Sequence, residues 1–299
     1  MKISGFSYIK NGIFVDYPFL EAIQSVLPIC DEFVIAVGDS TDGTREAIEN
    51  LKSDKIKIID TVWDLSKRTG GVVFAEQSNI ALDGVTGDWV IHIQADEAIH
   101  EDEIFRLKEE IIKYDKDPNV EGLILPYYHF WGDYNHIWTS RKVHRFEVRA
   151  FRNIKGIRSY RDSQGFRKFS SIEGYQSGEE GEKLKVKKSK VHIFHYKCVK
   201  PPKQMRKKME IFHSFYYDDI WLKKKYHDKE EEFDYQIYDR LEEFTGTQPS
   251  LLHERISKKD WPFTYEKAKS KMKFRYRALH FIEDLTGYRL FEYKNYKII

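Results

Sequence analysis

The chain has 299 residues, 41% of them hydrophobic and 15% aromatic, which is enough to bury a full core and excludes a disordered chain. Its two cysteines, Cys30 and Cys198, are too few and too isolated for a disulfide framework or a zinc site, so reduced thiols and a cytoplasmic setting are expected. A net charge of +2 hides an asymmetry: residues 1–120 hold 12 Lys/Arg against 23 Asp/Glu, whereas residues 183–225 hold 14 against 3. That basic stretch suits phosphates, an anionic membrane surface or nucleic acid, or is simply solvated lysine. Residues 1–12 lack the apolar core of a signal peptide, and no run approaches the ~20 apolar residues of a membrane span.

Residues 1–125 read as alternating strands and helices, the pattern of a layered sheet with crossover helices. A first strand over 2–9 ends in the turn Lys10-Asn11-Gly12, and residues 17–26 place Phe19, Leu20, Ile23 and Val26 at helical spacing. A second strand, 33–37, runs into the polar loop from Gly38 to Thr44, with a helix over 44–51 capped by Thr41 or Asp42. A third strand at 55–59 and a helix at 76–82 lead to Trp89, where Val90, Ile91 and Ile93 make a short buried strand. It ends in Gln94, Asp96 and Glu97. A helix over 101–114 and a strand over 123–128 follow.

Two adjacent acids at a strand end either cap the next helix or share a cation, and Mg²⁺ takes one or two carboxylates together with substrate phosphates. Right-handed crossovers make the strands that begin near residues 2, 33 and 89 parallel. Asp39, Asp42 and Asp96 then line the carboxyl edge of one sheet, where α/β proteins bind ligands.

The loop Gly38-Asp39-Ser40-Thr41-Asp42-Gly43-Thr44, the segment Asn79-Ile-Ala-Leu followed by Thr86-Gly-Asp-Trp89, and Gln94-Ala-Asp-Glu97 occur in order. Together they resemble the acidic loop, helix-and-turn and metal motif of family 2 glycosyltransferases. The resemblance implies the GT-A fold, a Rossmann-like mixed α/β sheet flanked by helices, and transfer of a sugar from a nucleotide donor with inversion. It assigns Asp39 and Asp42 to the nucleoside, and Gln94 and Asp96 to the nucleotide-sugar. It also assigns Asp96, with Glu97 as neighbour, to Mg²⁺ or Mn²⁺. Gln94 stands where the family has its first metal-motif acid, and an amide is a poorer partner for a hard cation.

Residues 126–199 are expected to form the acceptor half of a domain spanning 1–199. Tyr127 to Tyr134 offers aromatic faces, either for stacking an acceptor sugar or as a core loop. Arg145 to Arg152 alternates charged and apolar residues as a strand. The segment Asp162-Ser-Gln-Gly-Phe-Arg167 resembles a bacterial envelope-glycan subset of the family. That likeness makes Asp162 the base for the acceptor hydroxyl, with Glu173 in reserve. Residues 170–190 read as flexible. His192 and His195 fall on opposite faces of a strand over 190–196. His195 matches a late metal-ligating His of the family, or is structural.

Residues 200–299 read as a helical extension, with helices over 203–217, 230–244 and 266–285. The first puts Met205, Met209 and Phe212 on one face and Arg206, Lys207 and Lys208 on the other. This region is expected to cover the acceptor side and to support a homodimer.

The leading expectation is an enzyme of bacterial cell-envelope polysaccharide or glycolipid synthesis. Its partners would be a nucleotide-sugar donor and a glycan or glycolipid acceptor. It would sit in the cytoplasm or at the inner membrane face, touching the membrane through 183–225. The alternative is a non-catalytic nucleotide- or sugar-binding module on the same fold, which Gln94 favours. Nucleic-acid binding lacks any recognition helix or aromatic-sheet signature, so no nucleic-acid partner is expected.

Overall fold

The computed structural model describes residues 1–64, 66, 69–227, 232–267, 270 and 272–299. Its first half runs β1 (Ile3–Ile9), α1 (Phe19–Val26), β2 (Glu32–Val37), α2 (Thr44–Glu49), β3 (Ile56–Asp60), α3 (Val72–Asp83), β4 (Trp89–His92), β5 (Glu97–Ala98) and α4 (Glu101–Asp115). It continues through β6 (Gly122–Trp131), β7 (His136–Trp138), β8 (Phe146–Arg152), β9 (Ile157–Ser159), β10 (Phe166–Lys168), α5 (Ile172–Gln176), β11 (Glu182–Lys183), β12 (Lys185–Lys188) and β13 (Ile193–Cys198). The remainder holds α6 (Pro202–Ser214), α7 (Asp219–Leu222), β14 (Leu241–Glu243), α8 (His253–Ser257), α9 (Phe274–Thr286) and β15 (Lys297–Ile298).

The main sheet has the order β14-β7-β6-β8-β4-β1-β2-β3. β1 pairs in parallel with both β2 and β4, in the registers Ile9 opposite Val37 and Phe6 opposite His92. Their carboxyl ends therefore share one edge, as the crossovers require. β8 runs antiparallel to β4, and β13 joins β6 in parallel, bringing His195 opposite His129. This is the mixed α/β sheet expected of the GT-A fold.

The central strands are buried on both faces, which is why their sequences are near-continuous apolar runs. Ile3, Phe33, Trp89 and Ile91 pack under α1 and α4, while Phe6, Val34 and Val90 pack against α3 and β10.

Several boundaries differ from expectation. α3 begins a full turn early, at Val72. The cap of α2 is Gly43 in a left-handed conformation, and Asp42 supports it by accepting from the Thr44 amide. The N-cap of α4 is His100, so neither Asp96 nor Glu97 serves there. Residues 170–190, read as flexible, contain α5, β11 and β12.

The 200–299 region is less helical than expected. The helix expected over 230–244 is absent among the described residues, and residues 228–231 lie outside them. In its place Phe233, Tyr235 and Tyr238 pack around Trp131 and Met205, and β14 pairs with β7. Near-alternating aromatic burial favours extended chain over helix there. The last long helix starts only at Phe274, residues 268, 269 and 271 of its expected span lying outside the described chain. β15 pairs with β12, so the C-terminal region is woven into the sheet rather than appended to it.

Candidate active site

A cavity of about 560 Å³ opens at the carboxyl edge of β1 and β4, lined by Gln94, Asp96, Asp162, His195, Lys208 and Glu147 among others. Trp63, Val73 and Phe215 form an apolar cluster with Tyr8, Phe74 and Tyr216 at its side, fastening α6 against α3. The geometry falls into two walls.

The first wall is built on Asp96. Lys208 Nζ lies 3.1 Å from Asp96 Oδ2 and also donates to the Lys197 carbonyl at 2.8 Å, while His195 Nε2 stands 3.6 Å from Oδ1. Burial alone raises a carboxyl pKa, but here the Lys208 ammonium leads the opposing effects, and Asp96 is held well below the usual carboxylate range. Lys208 was expected on the solvated face of its helix. It is buried because it falls three residues after Met205 and four before Phe212, within the apolar stripe.

His195 is oriented by a chain of contacts. His129 Nε2 meets the carbonyl of His144 at 2.7 Å, and a carbonyl only accepts, so this nitrogen carries the proton. Burial holds His129 neutral, which leaves its Nδ1 as an acceptor for the Nδ1–H of His195 at 2.7 Å. With its Nδ1–H given to His129, His195 turns Nε2 toward the Asp96 carboxylate, and a metal bound there would take the Nε2 lone pair. Two electron-rich groups facing one another are complementary to a cation between them, so the donor set fits a divalent metal. Among the described residues no group of three or more His, Cys, Asp or Glu is placed to hold a metal ion, so the protein would supply two ligands and phosphate oxygens or water the rest.

Glu97 does not belong to that set. It is fully buried as a strand residue opposite His195, and its carboxylate takes a bidentate fork from Arg149 at 2.8 and 2.9 Å and a 2.7 Å bond from Tyr127. A carboxylate so engaged has no face for a metal. Arg149, on the strand of alternating charged and apolar residues, is its buried partner.

The second wall carries Asp162. Its Oδ2 accepts from Tyr216 at 2.5 Å, whereas Oδ1 is buried with no hydrogen-bond partner. The loop that presents it is backbone-strained: Arg161 and Ser163, on either side, both have positive φ, at 55° and 67°. Gly71 lets this loop approach, because a Cβ there would stand 2.8 Å from that of Asp162 and 2.7 Å from the Tyr216 hydroxyl. Close by, Glu147 is pushed up to about 7 by burial, against the downward pull of Arg149. The reserve acid, Glu173, lies exposed on α5 and does not line the cavity.

The nucleoside candidates are less direct. Asp39 is about half exposed, accepting from Lys10 Nζ at 2.6 Å and the Trp63 amide at 3.2 Å. It sits beside the cavity, whose lining there is Lys10, Asn11 and Trp63. Asp42 accepts from Phe14 N through one oxygen and from Thr44 through the other, so it ties two loops together rather than facing a ligand. Gln94 lines the cavity beside Asp96, as expected from the strand end.

Of the basic stretch 183–225, Lys200 and Lys208 are buried, so it does not form one surface patch. Lys200 is pushed down to about 7 by burial, and donates to the carbonyls of Val15 and Asp16. No helix among the described residues is long and apolar enough to cross a membrane. Both cysteines are buried as free thiols.

Comparison with known proteins bears on this geometry. Solved structures similar to the chain include TarS of S. aureus, at 15% identity, TM-score 0.40, covering 71% of this chain and 39% of that one. Glucosyl-3-phosphoglycerate synthase from Mycobacterium tuberculosis, in complex with Mg²⁺ and uridine diphosphate, matches at 11% identity and TM-score 0.37 over 73% of this chain and 81% of its own. Mannosyltransferase PcManGT from Pyrobaculum calidifontis, in complex with GDP-Man and Mn²⁺, matches at 17% identity and TM-score 0.34 over 50% and 44% respectively. The chain thus spans well under half of TarS. No curated protein sequence matches. The profile of the family described as Glycosyl transferase family 2 matches residues 18–173, more than half of the chain. With the strand order and the motif loops at one sheet edge, this places the protein among its members: the chain belongs to glycosyl transferase family 2.

Proposed function

We propose that this protein is an inverting glycosyltransferase, moving a sugar from a nucleoside-diphosphate donor to a hydroxyl of a glycan or glycolipid in bacterial envelope synthesis. The observation that carries the reading is one cavity lined both by Asp96 with His195, a pair complementary to a cation, and by Asp162, one oxygen of which is buried and unpartnered.

The nucleoside lies along Lys10, Asn11 and Trp63, with Asp39 holding Lys10 in place. The diphosphate reaches Lys208 and Lys197, which draw negative charge toward the Asp96 wall. A divalent cation held by Asp96 and His195 would neutralise charge on the departing diphosphate. Asp162 accepts the proton of the acceptor hydroxyl, its carboxylate oriented by the Tyr216 hydroxyl. The acceptor oxygen bonds to the anomeric carbon as the bond to the diphosphate oxygen breaks. The electron pair departs with the diphosphate, and the configuration inverts.

Asp162→Asn tests the role of the base. It should leave nucleotide affinity within about threefold and lower turnover by roughly 10²–10⁴. Unchanged turnover would remove Asp162 from the mechanism. Glu147 is the second reading, because a carboxyl that titrates near neutrality is suited to a general base. It gains the role if Glu147→Gln, and not Asp162→Asn, abolishes turnover while binding persists.

A further inference from the structure

The C-terminal helix α9 is amphipathic in the reverse of the usual sense. Its polar face is the one turned to the body of the protein. Glu283 accepts from Arg141 at 2.6 Å and from Arg289 at 2.8 Å, and Asp284 takes Arg240 at 3.0 Å. His280, buried on the same side, also meets Arg240, at 3.1 Å. The opposite face carries Phe274, Phe281, Ile282 and Leu285 at helical spacing. Phe274 is 84% exposed, Phe281 69% and Leu285 75%, and Phe291, just beyond the helix, is 85% exposed. Scattered exposed apolar residues need no explanation, whereas an aligned stripe of large ones marks an interaction surface.

The flanking charge identifies the occupant. Arg275 and Arg277 are exposed and fall on either side of the stripe, and Lys273 is exposed at the helix start. The acids of the helix, Glu283 and Asp284, are committed to arginines of the body. A second copy laid on this patch would bring like charges together, which opposes self-association. An anionic bilayer satisfies both parts, taking Phe and Leu side chains below the headgroups while Arg and Lys meet lipid phosphates.

The same segment continues into the cavity. Tyr293, Asn295 and Tyr296 line it, and Asn295 and Tyr293 hold Arg167 at 2.6 and 2.9 Å. The outward stripe and one cavity wall therefore belong to a single stretch of chain.

We infer that α9 and the segment through Phe291 form a docking surface for an anionic lipid bilayer, lying in the interface plane with the apolar stripe inserted. The site is separate from the basic stretch 183–225, and the inference does not depend on the chemistry in the cavity. The test is co-sedimentation of the full chain with vesicles of phosphatidylglycerol and phosphatidylcholine, against pure phosphatidylcholine, at low and high salt.

The expected result is salt-sensitive binding to the anionic vesicles. Phe281→Glu/Leu285→Glu should weaken it by about 100-fold or more, since two large apolar side chains are removed from the bilayer. Arg275→Gln/Arg277→Gln should weaken it by about tenfold or more. These side chains face outward, so both variants should keep the parent's unfolding temperature, which shows that lost binding is not lost fold. Absence of binding to anionic vesicles, or binding that both variants retain, overturns the inference. So does a concentration-dependent dimer that Phe281→Glu/Leu285→Glu dissolves, because the stripe would then belong to a second copy.

Discussion

Replacing Glu97 separates a buried structural carboxylate from a metal ligand. Glu97 and Arg149 are 0% and 2% exposed as side chains, and the fork between them is supplemented by the Tyr127 hydroxyl and the Gln94 amide, both donating to Glu97. Glu97→Gln keeps the volume but removes the charge, leaving a guanidinium uncompensated in the interior. Breaking one side of such a pair destabilises by about 3–5 kcal/mol. That is a large part of the roughly 5–15 kcal/mol that holds a domain folded. With a urea dependence of about 3 kcal/mol per molar, the unfolding midpoint should fall by roughly 1–1.7 M. The double variant Glu97→Leu/Arg149→Met, which removes both charges, should recover most of the loss. The assay is equilibrium urea unfolding followed by tryptophan fluorescence, with Mn²⁺-dependent nucleotide affinity measured on the folded fraction. The reasoning is refuted if Glu97→Gln unfolds within about 0.5 kcal/mol of the parent while losing its Mn²⁺-dependent affinity. Glu97 would then be the ligand that its place beside Asp96 suggested.

Glu147 sets a pH dependence of the opposite sign to most carboxylates. Its folded-state value, about 7, lies above the ordinary value of 4.5, so the native state holds a proton that the unfolded chain releases. Its contribution is complete below the unfolded value and is lost as pH rises through the folded one, by roughly 3 kcal/mol in all. Glu147→Gln should flatten that slope, as urea midpoints at about pH 5 and about pH 7.5 would reveal; an unaltered slope assigns it to other groups. His129→Phe removes the acceptor that orients His195 and should weaken Mn²⁺ binding with nucleotide about 10- to 100-fold, while His129→Gln, which restores an acceptor, should recover part of it. Counting free Mn²⁺ by electron paramagnetic resonance checks this without any turnover, and unchanged affinity in the Phe variant contradicts the tautomer chain.

What could be read from the residues alone was local. The apolar runs at 33–37 and 89–93 are buried on both faces, so their composition announces strands, and right-handed crossovers then place their ends together. Asp96 and Asp162 stand out because each lies in a short motif, and both line the cavity. Partners separated by long stretches were not found. Glu97 meets Arg149 across 52 residues and His195 meets His129 across 66, contacts that only sheet register creates. Lys208 did carry a local signal, since its spacing from Met205 and Phe212 puts a lysine in an apolar stripe. Grouping it with Arg206 and Lys207 as one basic face obscured that. The stretch 232–243 also carried a signal. It falls within the helix expected over 230–244, yet Phe233 and Tyr235 alternate as an extended chain does, and packing on Trp131 decided the outcome.

The proposed donor site is tested most directly by thermal unfolding of the full chain with UDP, GDP, CDP or dTDP, each with Mn²⁺ or with EDTA. The account predicts that one nucleotide raises the melting temperature in Mn²⁺ and that EDTA abolishes most of the rise. At a hundredfold excess over the dissociation constant the stabilisation is about 2.7 kcal/mol, several degrees for a chain of this size. A rise that EDTA leaves intact would contradict the cation-holding role of Asp96 and His195. No rise with any of the four would contradict the nucleotide-sugar reading itself.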